Sequence, residues 1–208
     1  MKRLLVPFIE NSSETLFWQD LPVNFIDHQP WPQYHTKCSA AFRIAHSNTA
    51  VLLKFRVSED VFKTAERNIN DAVHKDNCVE FFIAFGEEQD YYNFEFNCLG
   101  VGKVGFGSSR EDRLLLPENI IRLVTTDLML HSRSSAGTAS FNWEITLSVP
   151  VEAFHYHRIS SLKGLRCRAN FYKCGDDLPE PHFLSWTMIH TEEPDFHQPA
   201  FFGGILFG

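Results

Sequence analysis

The stretch Cys78-Val79-Glu80-Phe81-Phe82-Ile83-Ala84-Phe85, followed five residues later by Tyr91-Tyr92-Asn93-Phe94-Glu95-Phe96-Asn97-Cys98, decides the fold. In an extended chain successive side chains point to opposite faces of a sheet. Val79, Phe81, Ile83 and Phe85 therefore share one side of the first segment, and Tyr92, Phe94 and Phe96 one side of the second. The opposite sides carry Glu80, and Asn93, Glu95 and Asn97. Gly86-Glu87-Glu88-Gln89-Asp90 between them reads as a hairpin connection. Residues 141–149 and 165–172 alternate in the same way, with core sets Phe141, Trp143, Ile145, Leu147, Val149 and Leu165, Cys167, Ala169, Phe171. Their polar sides carry Asn142, Glu144 and Thr146, and Arg166, Arg168, Asn170 and Tyr172. The pattern predicts that these carboxylates, amides and guanidiniums gather on a shared face, able to hydrogen-bond a polyhydroxylated ligand or simply to face water.

Working outward, residues 38–45 and 50–57 form a second hairpin around the turn-like His46-Ser47-Asn48. Residues 58–75 are polar and hold at most a short helix. The glycine-rich 100–107 reads as a bulged strand or wide turn; it is no phosphate loop, since no βαβ unit surrounds it and no Gly-Lys-Ser/Thr follows. Weaker strands are expected over 120–126 and 128–133, with a turn at 134–138. Pro150 suits the first position of a short helical turn. Residues 1–20 read as an irregular lead and 173–208 as a loop-like wrap that Phe196, Phe201 and Phe202 anchor. Many strands, short turns and few helices predict an all-β, antiparallel two-sheet β-sandwich of jelly-roll type, one domain over 1–208.

The 208 residues suffice for a substantial core, and 20 phenylalanines at largely alternating positions favour strands. A net charge of -7 argues against nucleic acid as a partner. No apolar run approaches the roughly 20 residues that cross a bilayer as a helix, so membrane insertion is not expected. The N-terminus shows no secretory signal; the compartment stays undetermined, cytoplasmic for the chain as written and periplasmic or secreted if a signal was removed. The five cysteines read as buried thiols rather than a disulfide framework, and no Cys/His spacing suggests zinc. Glu59, Asp60, Asp71 and Asp76 are the candidate oxygen donors for a structural calcium, though without an EF-hand pattern.

Planar rings cover the apolar faces of a sugar, and fixed polar groups meet its hydroxyls. The ligand-binding candidates are Glu80, Asn93, Glu95, Asn97, Glu144, Arg166, Arg168 and Asn170, with Tyr172, Trp186, Trp31 and Tyr34 as aromatic surfaces. Glu80 and Glu95 also invite a glycoside-hydrolase reading, because such enzymes set two carboxyl groups across the scissile bond. Neighbouring arginines would depress both rather than raise one for an acid role. A third reading is an accessory or scaffold module without sugar affinity.

Asp76-Asn77-Cys78-Val79-Glu80-Phe81-Phe82-Ile83, the segment Tyr91 to Gly100, Arg168-Ala169-Asn170-Phe171-Tyr172-Lys173 and the ending from Trp186 to Phe202 resemble the family 9 carbohydrate-binding modules. The resemblance is to a divergent branch of stand-alone Bacteroidetes proteins and runs from about residue 20 onward. It implies a β-sandwich related to DOMON-type domains and non-catalytic binding of a sugar chain end, with a glycoside hydrolase as candidate partner, no required cofactor and a structural calcium as the candidate ion. By position it assigns Glu80, Glu95, Arg168 and Asn170 to the polar floor of the site. His74 stands where relatives often carry one of two clamping tryptophans.

Overall fold

The computed structural model describes residues 2–10, 18–135 and 138–208. Two sheets stack face to face. The first contains β1 (Arg3–Val6), β5 (Cys78–Phe85), β6 (Tyr91–Asn97), β7 (Gly102–Gly107), β8 (Arg113–Leu115), β11 (Arg166–Cys174), β12 (Phe183–Ser185) and β13 (Gly203–Phe207). Its order is β1-β13-β11-β5-β6-β7-β8, with β12 paired to β11. The second contains β2 (Asn24–Ile26), β3 (Ser39–His46), β4 (Ala50–Glu59), β9 (Thr125–Ser135) and β10 (Thr138–Pro150), in the order β2-β3-β4-β10-β9. The all-β sandwich expected from the alternation is the fold observed.

Between the sheets lies one apolar core, and the alternating sets supply it. Phe81, Phe94 and Phe171 of the first sheet meet Phe42, Phe55 and Trp143 of the second. Phe171 stacks on Phe42 with centroids 3.7 Å apart and on Phe81 at 5.1 Å. All five cysteines are free and buried.

Several local expectations are corrected. The glycine-rich segment is a regular strand, β7, because Gly102 and Gly105 leave room for Phe96 and Asn93 of β6: a Cβ on them would come within 2.6 and 2.7 Å of those side chains. A short helix, α1 (Glu118–Ile121), occupies part of the segment expected to be a strand over 120–126. The N-terminal lead contributes β1, which runs parallel to β13 with Arg3 opposite Gly204 and Val6 opposite Phe207. The expected turn at 134–138 lies partly outside the described residues.

The largest departure concerns the far side of the first sheet. Every residue of β5 and β6 is buried, because the C-terminal segment folds over the outer face and closes a second core. Phe82, Tyr91 and Tyr172 of the sheet pack there with Trp31, Ile189, Phe196 and Phe202. Tyr172 stacks on Phe196 at 4.1 Å and donates its hydroxyl to the Phe196 carbonyl. In hindsight Cys78, Phe82 and Ala84, all on the outer side of β5, mark a strand covered on both faces.

At one end of the inter-sheet core sits a buried ionic cluster. The Lys173 ammonium, fully buried, lies 3.0 Å from Glu59 Oε2 and 3.0 Å from His182 Nε2. Trp143 Nε1 donates to Glu59 Oε1 at 2.6 Å. Burial is the largest single influence and pushes the lysine pKa down, but Glu59, with Cys38 and Cys174 adding to it, more than offsets burial and the net direction is up. His182 is the reverse: burial, and then Lys173, push it down to about 4.

A histidine depressed below its ordinary 6.5 contributes stability that is whole above pH 6.5. That stability is lost as pH falls toward 4, because the unfolded chain takes up the proton first, at up to about 1.4 kcal/mol per pH unit. Urea midpoints measured between pH 7 and pH 5 should therefore fall less in His182→Gln than in the parent chain. Equal slopes would remove His182 from the account.

Candidate functional site

Glu80 and Glu95 are directly opposite one another on β5 and β6, both on the outer face. Opposed residues on antiparallel strands place their Cβ atoms about 4.5–5.5 Å apart. The C-terminal cover leaves a hollow of about 110 Å3 above this pair. Its wall includes His74, Cys174, Asp176, Phe183, Phe196 and His197, and Lys103, Arg110 and Arg113 bring positive charge to it.

Three of the wall residues have an identifiable support. His74 lies in the 3-10 turn Val73–Lys75. That turn is held by Asp76, which accepts from Arg67 Nη2 at 2.9 Å and from Asn97 Nδ2 at 3.0 Å. Arg113 arrives through the pairing of β8 with β7. His197 is fixed by Tyr91, whose hydroxyl lies 2.8 Å from Nδ1, and by Arg113 Nη1 at 3.3 Å from the same nitrogen. Both neighbours donate, so Nδ1 is an acceptor and the imidazole is neutral. Burial, then Arg113 and Arg110, push its pKa down to about 2.

The carboxyl groups on the floor are under-satisfied. Glu95 Oε1 accepts from Asn93 Nδ2 at 2.7 Å and lies 3.9 Å from Arg113 Nη1. Glu95 Oε2, 3.4 Å from His74 Nδ1, has no hydrogen-bond partner, and neither does Asn93 Oδ1. Glu80 Oε1 accepts from the Cys174 thiol at 3.2 Å. Burial, and then the facing Glu95, hold the Glu80 carboxyl well above the ordinary carboxylate range.

Thus the fold brings Glu80, Glu95, Asn93 and His74 together. It sends the other sequence-derived candidates elsewhere. Asn97 is a buried clamp, with Oδ1 accepting from the amides of Leu99 and Val101. Arg168 donates to the carbonyls of Glu88 and Pro199, fastening the β5–β6 loop to the C-terminal cover, and Arg166 is exposed. Asn170 is buried with its amide turned to Thr187. Tyr172 lies beneath Phe196, and Trp186 lies in the inter-sheet core, edge-on to Phe171 and Phe42.

Trp31 is buried with Nε1 donating to the Thr191 carbonyl, and Tyr34 packs edge-on to Phe183. Glu144 belongs to β10 of the other sheet, so the shared face expected for all four strands is in fact two outer faces. There Glu144 pairs with Lys54 at 2.8 Å and lines a separate groove of about 240 Å3 with Phe25 and Arg43. The rings beside the hollow are instead Phe183, Phe196 and the imidazoles of His74 and His197. With Arg110, Arg113, Asp176 and Asp195, these come from segments lacking periodicity; His74 was marked by resemblance, and the others only by polar and aromatic composition.

Two groups of three side chains bring potential metal-ligand atoms within 4.8 Å of one another among the described residues: Cys38, Glu59 and His182, and Cys78, Glu80 and Cys174. In the first the Lys173 ammonium already supplies the positive charge.

The sequence profile of carbohydrate-binding family 9 matches residues 10–207. A candidate carbohydrate-binding protein from Bacteroides uniformis is 33% identical, with 100% of this chain and 99% of that one covered and a TM-score of 0.89. A family 9 module from Caldicellulosiruptor kristjanssonii, solved with glucose, is 13% identical with a TM-score of 0.58, covering 100% of this chain and 96% of that one. Its complex with cellotriose gives 14% identity and a TM-score of 0.55, over 99% and 93% of the two chains. At that identity these two show the shared fold. No curated protein matches the chain. The profile match and the full-length similarity to the Bacteroides uniformis protein place this chain in carbohydrate-binding family 9.

Proposed function

We propose that this chain is a single carbohydrate-binding domain that holds a saccharide or glycan end in the hollow over Glu80 and Glu95, without altering it chemically. The observation that carries the reading is Glu95 Oε2, a buried carboxyl oxygen on the hollow's floor without a hydrogen-bond donor. Leaving such an atom unmet costs about 1–3 kcal/mol, and a sugar hydroxyl is a donor of the right size to meet it. His74, Arg113 and Asp195 are placed to engage neighbouring hydroxyls, while Phe183 and Phe196 supply apolar wall. The hollow is small, which favours the terminal part of a chain over an internal stretch. The family's sugar-bound members support the same class of ligand. An enzyme that releases or exposes glycan ends is the partner this activity implies.

Hydrolysis is not supported. Both carboxyl groups rise from neighbouring positions of one floor, so a ligand rests on the pair instead of passing between an acid and a nucleophile. The carboxylates the sequence offered for calcium are paired or dispersed: Glu59 pairs with Lys173 and Asp76 with Arg67, and among the described residues Asp60, Asp71 and Asp76 belong to no group of three potential ligands.

Calorimetric titration with glucose, cellotriose and a panel of other oligosaccharides tests the proposal. At least one should bind, and Glu95→Gln should weaken that binding about tenfold or more while leaving the fold intact by circular dichroism. Absence of binding across the panel, or affinity indifferent to Glu95→Gln, overturns it.

A further inference from the structure

Beneath the hollow, Cys78-Val79-Glu80 on β5 sends Cys78 and Glu80 to the outer face, and the register of β11 sets Cys174 directly opposite Cys78. Two thiols and a carboxyl group thus converge from two central strands, all buried, with their ligand atoms within 4.8 Å of one another. Cys174 Sγ is 3.2 Å from Glu80 Oε1. We propose that these three side chains form a binding site for a zinc-type divalent ion.

Zinc bonds of about 2.3 Å to sulfur and 2.0–2.2 Å to oxygen, arranged tetrahedrally, separate neighbouring donors by about 3.5–3.8 Å. The observed set lies within about 1 Å of that spacing, with every pair of ligand atoms inside 4.8 Å and Cys174 Sγ 3.2 Å from Glu80 Oε1. Two sulfurs and one oxygen suit zinc or cobalt and are a poor match for calcium or magnesium, which take oxygen. The strands fix the donors' directions before any ion arrives, because Cys78 and Cys174 sit on facing rungs of one ladder.

Access and charge point the same way. Glu80 and Cys174 form part of the hollow's wall, with Cys78 fully buried beneath them. Among the described residues no lysine or arginine pairs with Glu80 within 4.0 Å; the neighbouring Lys173 projects from the opposite, inner face of the sheet, where it pairs with Glu59. This separates the group from Cys38, Glu59 and His182, where an ammonium fills the corresponding role. Glu95 Oε2, on the same floor, lacks a hydrogen-bond partner. Binding releases the two thiol protons, together with any proton that Glu80 carries, to solvent, leaving two thiolates and one carboxylate around the ion. The inference is independent of the sugar reading, since ion binding is read with no saccharide present.

The test uses the full chain, reduced, stripped with a chelator and kept free of oxygen, titrated with Co2+. A thiolate-to-cobalt charge-transfer band should grow to one equivalent and collapse when Zn2+ is added. The band should be lost in Cys78→Ser and in Cys174→Ser and kept in Cys167→Ser, while Glu80→Gln should weaken cobalt binding tenfold or more. X-ray absorption of the zinc-loaded parent chain decides the matter without any variant, by showing two sulfurs at about 2.3 Å with lighter donors at about 2.0–2.2 Å. A parent chain with no charge-transfer band, a band that survives loss of both cysteines, or a zinc shell of nitrogen and oxygen alone overturns the proposal. So does a mass two hydrogens low that maps to a Cys78–Cys174 disulfide in the protein as purified.

Discussion

Lys173→Met should lower the unfolding free energy by about 3–5 kcal/mol, because it leaves the Glu59 carboxylate buried without its counter-charge. Methionine fills similar volume, so the loss is electrostatic rather than a cavity. Glu59 keeps the Trp143 indole as a hydrogen-bond donor at 2.6 Å, and a single neutral donor does not replace an ammonium at 3.0 Å. Urea denaturation at pH 7 measures the change. The double variant Glu59→Gln/Lys173→Met should recover a large part of it, since removing both charges removes the desolvation cost of each. A single-variant loss below about 1 kcal/mol would show that the pair is not the inter-sheet lock described here.

Asn170→Ala should cost about 2–6 kcal/mol, from two buried amide hydrogens left unmet at about 1–3 kcal/mol each. The reason lies in the edge of β11. Its partner is β13 as far as Ala169, opposite Gly203, and β12 from Tyr172, opposite Ser185. Asn170 stands in the gap between the two, where its Oδ1 accepts from the amides of Phe171 and Thr187, each at 3.0 Å. The side chain thus stands in for a missing rung of the ladder. The expected signature is a lowered urea midpoint, with sugar affinity under folding conditions changed far less than by Glu95→Gln. A variant of parental stability that no longer binds sugar would return Asn170 to the ligand-contacting role that family resemblance gave it.

How far the sequence could be read depended on what fixes each feature. Alternation settled β5, β6, β10 and β11, because a slip of one residue would turn Phe81, Phe94, Trp143 and Phe171 out of the inter-sheet core. It also brought Glu80 and Glu95 to the centre of neighbouring strands, where a hairpin makes them face each other. Alternation says which side of its own sheet a residue takes and nothing about which sheet that is, so Glu144 was grouped with residues on the far side of the molecule. Nor does it reveal what lies over a polar face. Tyr172 and Asn170 have the parity of ligand-facing residues and are buried under the C-terminal cover, whose proline, aspartate and aromatic composition carries no period. Arg113 and His197 reach the hollow through such segments, and His74 was placed there by resemblance rather than by spacing.

The parallel pairing of β1 with β13 bears on mechanics. Lys2 O accepts from the Gly204 amide at 3.0 Å at one end of the pair, and Val6 O from the Gly208 amide at 2.9 Å at the other. Tension applied through residue 2 and residue 208 pulls these strands lengthwise in opposite directions, so the bonds between them share the load and give way together instead of unzipping in turn. Tethered at both ends, the domain resists stretching through this short clasp, whose rupture rate, more than its equilibrium stability, governs survival under force.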